Sequence, residues 1–98
     1  MKSSKGQSAS GGLKSPQAAA AVARGQERFK QALEEVRRGN KDLAIAALDA
    51  AIDAYTEAIR LDPKHATAYL LRARVYEEKG DEAKAEADLM RAGTLEAD

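Results

Sequence analysis

Three short breaker pairs, Gly39-Asn40, Asp62-Pro63 and Gly80-Asp81, divide a chain that otherwise holds mostly good helix formers. Glycine accepts the left-handed conformation that a helix end often needs, and proline has no amide with which to continue a helix. Ser15-Pro16 adds a start signal, because serine caps free amides and proline suits the first helical position. These marks predict four helices. The first runs from Pro16 to the Gly39 stop, the second from about Lys41 to Leu61, and the third from about Ala66 to Lys79. The fourth runs from about Glu82 to Thr94, with Asp81 as its cap and Gly93 loosening its end. Connections this short make neighbouring helices antiparallel, so the expected fold is all-α, two consecutive helical hairpins.

The apolar spacing agrees. Val22, Gln26, Phe29, Leu33 and Val36 recur at three- and four-residue steps, which sets them on one face of the first helix. Tyr69, Ala73 and Tyr76 do the same on the third. Hydrophobic residues make up 44% of the chain, roughly a fifth of the whole being alanine, and aromatics are only 4%. That mixture favours closely packed helices and supplies little for sheets or deep ligand pockets.

The same inventory excludes several kinds of function. Lys+Arg at 16 balances Asp+Glu at 16, which argues against a nucleic-acid footprint or a polybasic membrane anchor. No cysteine means no disulfide, thiolate zinc site or thiol nucleophile. The one histidine, His65, follows Asp62-Pro63-Lys64 in a turn and reads as a solvated loop residue. Glu34/Glu35 and Glu77/Glu78 are adjacent pairs that point about 100° apart on a helix, so neither converges on one substrate. They read as solvated faces with ion-pair options such as Glu34 to Arg38. Asp42, Asp49 and Asp53 lack the glycine spacing of a calcium loop, and Gly11-Gly12 follows no strand that would make a phosphate cradle. We therefore expect no catalytic, cofactor-binding or metal-ligating residues, no cofactor and no enzymatic activity.

Met1 to Ser15 is rich in Ser, Gly and Lys and has no acid, so it reads as a flexible tail. A native linker and a remnant of expression cloning both have that composition. Its three lysines leave a mildly acidic helical body from residue 16 onward. The run Ala18 to Ala23 before Arg24 lacks the leucine-rich core of a secretion signal and reads as a helix start. No stretch approaches the roughly 18 apolar residues of a membrane span, and a cytoplasmic location is expected.

From Ala66 to Leu95 the sequence carries Tyr69, Ala73, Tyr76, Gly80-Asp81, Ala85, Leu89 and Ala92. This pattern resembles the tetratricopeptide repeat, a helix–turn–helix unit that stacks into a superhelix. The segment Ala51-x-x-x-Tyr55-x-x-Ala58 followed by Asp62-Pro63 resembles the second half of a preceding repeat. The resulting units are an elongated first repeat over 16–63 and a second over 64–98. Small residues let the helices approach, and the large ones fill the gaps beside them. The match departs from the family at Arg72, where an aliphatic residue is usual, at Ala73, where glycine is commonest, and at Ala97, where a closing proline would fall. It is strong from Leu48 to Leu95, weaker from Pro16 to Ala47 and absent from the tail.

The second helix is one heptad too long for such a unit. Asp42-Leu-Ala-Ile-Ala-Ala-Leu48 aligns with Asp49-Ala-Ala-Ile-Asp-Ala-Tyr55. Seven residues are nearly two turns, so the addition keeps its phase and lengthens the helix by about 10 Å. Ile45, Leu48, Ile52, Tyr55 and Ile59 form a large apolar stripe beside the small stripe Ala44, Ala47, Ala51, Ala54 and Ala58. The partner of this long helix must be the equally long first helix. Natural drift and deliberate engineering can each produce such a duplication.

By the family resemblance the chain is a protein–protein interaction module whose groove holds a peptide or partner helix. The groove-facing residues would be Lys30, Glu34 and Arg37, with Glu27, on the first helix and Thr67, Leu70, Arg74 and Glu77 on the third. Leu70 and Leu71 cannot both sit at the centre of one helix face, so one is expected at an interface. The alternative is self-association into a homo-oligomer. It would use either the elongated hairpin or the uncapped last helix, with Leu89, Met90 and Leu95 as contacts. An engineered scaffold without a native ligand is a third reading.

Overall fold

The computed structural model describes residues 15–97. They form α1 (Pro16–Arg38), α2 (Lys41–Leu61), α3 (Ala66–Lys79) and α4 (Glu82–Ala97). The expected signals place the ends. The Ser15 hydroxyl accepts a 3.1 Å hydrogen bond from the Ala18 amide, with proline in the first turn behind it. Gly39 and Gly80 adopt φ of 80° and 89° and close α1 and α3 by donating to carbonyls of the preceding turn. The Asp81 carboxylate accepts from the Lys84 amide at 3.2 Å and caps α4. One end differs from expectation. Gly93 lies inside α4, which continues to Ala97. A single glycine lowers helix propensity by about 1 kcal/mol, too little to stop a helix whose buried Ala92 is already docked. The tail reading, Met1 to Ser15, lies outside the described residues except at Ser15, which caps α1.

The helices pack in chain order, α1 on α2, α2 on α3 and α3 on α4, with α1 also touching α3. α1 and α2, at 23 and 21 residues, are each over 30 Å long at about 1.5 Å per residue and cover one another. α3 has 14 residues and is shorter. Lys79 at its end pairs with Asp49 at 2.7 Å, so the first turns of α2, 41–48, run on past α3. These first turns of α2 are therefore an overhang, at the position where the sequence reads as carrying an extra heptad.

The core face of α1 is not the expected one. Its buried residues are Ala18, Ala21, Val22, Gly25 and Ala32, while Leu33 and Val36 are exposed at the flanks and Gln26 faces solvent. The cause is the bulk supplied from α2. Tyr55 is only 1% exposed and its ring lies directly over Gly25. A Cβ at residue 25 would stand 2.6 Å from Tyr55 Cδ1 and 2.7 Å from Cζ. Tyr55 thus requires a hole in α1, and glycine provides it. α2 departs from its two-stripe reading for the same reason. Ala44, Leu48, Ala51, Tyr55 and Ala58 from both stripes share the buried face, while Ile45 on the overhang is exposed.

Arg72, the departure from the family pattern, is accommodated by a partner on α4. Its Nε and Nη2 donate to the two Asp88 carboxylate oxygens at 2.8 Å each, and Nη1 donates to Thr56 Oγ1 at 3.1 Å. The Tyr69 and Tyr76 rings lie 5.8 Å from the guanidinium carbon. Asp88 is 5% exposed, so the charge pair sits where α2, α3 and α4 meet.

Candidate partner-binding cleft

α1 and α3 flank α2 on the same side, and the space between them is a cleft of about 460 Å³. Its apolar lining is Phe29 and Leu33 from α1, Tyr55 from α2 and Leu71 from α3. Lys30, Glu34, Arg37 and Arg74 complete the wall. Leu33 is 40% exposed here, with no described residue covering it. The helix period creates the arrangement. Residues 26, 29, 30, 33, 34 and 37 follow three- and four-residue steps along α1, as do 71 and 74 on α3.

Four of the eight predicted groove residues, Lys30, Glu34, Arg37 and Arg74, meet in this cleft. The other four do not. Glu27 and Thr67 are exposed and Leu70 half-buried, none of them lining the cleft. Glu77 lines a separate acidic hollow with Glu82, Glu86 and Leu89. Leu71, not Leu70, reaches the cleft. Adjacent leucines differ by about 100° in direction, and only the packing on α2 decides between them. Phe29, Leu33 and Tyr55 also went unrecognised as cleft residues, because apolar periodicity assigned all three to the core.

Glu34 lies 3.8 Å from Arg37 and 3.7 Å from Arg38. The expected Glu34–Arg38 pair thus forms, and Glu35 reaches the same Arg38 at 3.4 Å. Among the described residues Lys30 and Arg74 have no ion-pair partner, and the cleft carries net positive charge. Burial pushes the Tyr55 hydroxyl up to about 12, against an opposing pull from Arg74. Tyr55 therefore stays neutral at physiological pH. The cleft thus combines an apolar floor, a neutral phenol and a surplus of positive charge.

The other candidates are placed elsewhere. His65 is half-buried at the start of α3, its amide donating to the Asp62 carbonyl at 3.1 Å and its carbonyl accepting from Ala68 at 3.1 Å. Asp49 is engaged by Lys79. Among the described residues no group of three or more His, Cys, Asp or Glu is placed to hold a metal ion, and no helix is long and apolar enough to cross a membrane. On α4, Leu89 and Met90 are 42% and 69% exposed, and Leu95 is half-buried.

No solved structure matches this chain closely enough to count as a relative. The tetratricopeptide repeat family does match, over residues 29–97. The matched span takes in the second half of α1 and all of α2, α3 and α4, and it leaves out the alanine-rich start of α1. With its helical hairpins packed in chain order and most of its length inside that match, the chain belongs to the tetratricopeptide repeat family.

Proposed function

We propose that this chain is a non-enzymatic protein–protein interaction module and that the α1/α3 cleft is its binding site. The observation that carries the reading is the joint lining of one cleft by Phe29, Leu33 and Leu71 with Lys30, Arg37 and Arg74. An apolar side chain would fill the space over Tyr55, and carboxylates beside it would meet the three cations. The partner is accordingly a peptide or helix that presents an apolar anchor flanked by acids. Family membership supports the general role, since tetratricopeptide repeats serve as interaction scaffolds.

Selection from a displayed peptide library, followed by fluorescence anisotropy on the selected peptides, tests this. Binders should carry that apolar–acidic pattern. They should lose about tenfold or more in affinity to R74E and L71D, each of which replaces a cleft contact with an acid. Binders indifferent to both substitutions would place the site elsewhere.

A further inference from the structure

The overhang of the first hairpin leaves a step at the end of the molecule. Beyond the last turn of α3, no described residue covers Val36 and Ile45 on the flank of α1 and α2, while Ala44 and Leu48 beneath them are buried. A hollow of about 420 Å³ lies there, lined by Val36, Ala44, Ile45 and Leu48, with Lys41 at the tip and Glu78 on the end of α3. Val36 is 51% exposed and Ile45 41%. Ile45 continues the line of Ile52 and Ile59, which are packed against the core, so the stripe outruns its cover.

We propose that this step is the contact surface for a second copy of the same chain, joined by two-fold rotation. Shape is the first argument. Two identical steps interlock like a lap joint, each overhang filling the space past the other's shorter helix. Such an isologous contact is closed, because one surface serves both partners. Charge is the second. The joint brings the tip of one copy against the end of α3 in the other, so Lys41 meets Glu78 twice. Among the described residues neither has an ion-pair partner within its own chain. Helix ends agree in sign. The start of α2 receives no side-chain cap from Asn40, whose amide instead donates to Glu35 at 2.8 Å, and it would face the negative end of the partner's α3. Size sets the strength. A step about 10 Å long offers far less than the ~800 Å² per partner of a standard stable interface, so the dimer is weak and reversible.

Sedimentation velocity from about 10 μM to about 1 mM tests the joint, with circular dichroism to confirm that each variant is helical. The wild-type chain should pass from monomer to dimer across that range. K41E and E78K each create two like-charge contacts in their own dimers, and each should weaken dimerisation about tenfold or more. An equimolar mixture of the two should recover the wild-type behaviour, because a K41E–E78K pair has two opposite-charge contacts. I45D should abolish the dimer. A wild-type chain that stays monomeric at about 1 mM would overturn the proposal. So would a mixture that fails to recover, or a dimer that survives K41E, E78K and I45D. Loss of such a surviving dimer in L89E would assign it to α4.

Discussion

The two hairpins solve the same packing problem with different chemistry. In the first, Tyr55 of α2 enters a gap that Gly25 leaves in α1, and the contact is entirely apolar in its packing. In the second, α3 presents Arg72 toward α4 beside the Tyr69 and Tyr76 rings, and Asp88 answers with both carboxylate oxygens. The apolar solution tolerates extension. The first two turns of α2 carry Leu43, Ile45 and Leu48 among alanines in the same phase, and they leave Leu43 and Ile45 exposed at the tip. The ionic solution fixes one register, because the bidentate pair forms at only one alignment of α3 against α4.

Breaking the ionic contact should produce the largest effect. Removing one partner of a buried pair leaves the other charge unpaired and costs about 3 kcal/mol or more. R72L and D88L should each lower the unfolding free energy read from urea titration by that amount. The double variant should recover most of it, and a double variant no more stable than the singles would show that the pair does not set the packing. Filling the gap in the first hairpin comes next. G25A should destabilise by about 2 kcal/mol despite alanine's better helix propensity, because the methyl group must displace the Tyr55 ring. An unchanged thermal midpoint would mean that the ring moves freely.

A third effect belongs to the first hairpin alone and is confined to alkaline solution. Tyr55 ionises near 10 in the unfolded chain and near 12 when folded, so between those values the unfolded state has lost a proton that the folded state keeps. Stability contributed by this group is complete below pH 10 and falls as pH rises toward 12. Thermal midpoints of wild type and Tyr55→Phe across that interval should differ in slope, the phenylalanine variant lacking this component. The smallest effect should come from S15A. It removes the hydroxyl that caps α1 and should cost about 1 kcal/mol, read most directly as faster amide exchange in the first turn.

The extent to which the fold was legible in the sequence follows the same division. Breaker pairs and caps act within a few residues, so Ser15, Gly39, Gly80 and Asp81 mark helix ends without knowledge of the tertiary structure. The buried face of α1 was not legible, because side-chain size points the wrong way. When one helix brings Tyr55 and Leu48, its partner must bring alanine and glycine, and the large Leu33 and Val36 turn outward. The Arg72–Asp88 pair spans 16 residues and two helices, so no local spacing announces it. The cleft was half legible for a similar reason. The family resemblance names Lys30, Glu34, Arg37 and Arg74, which line the cleft, but only the packing reveals that Phe29, Leu33 and Leu71 share it with them.

The Arg72–Asp88 pair also governs how this chain can change by descent. A leucine at 72 alone strands the carboxylate at 88, and an apolar residue at 88 alone strands the guanidinium. Each single step toward the family's aliphatic form passes through a less stable intermediate. The two positions are therefore locked together. A lineage that has acquired the pair returns to the apolar form only by a near-simultaneous double change, or with stability in reserve to survive the step between.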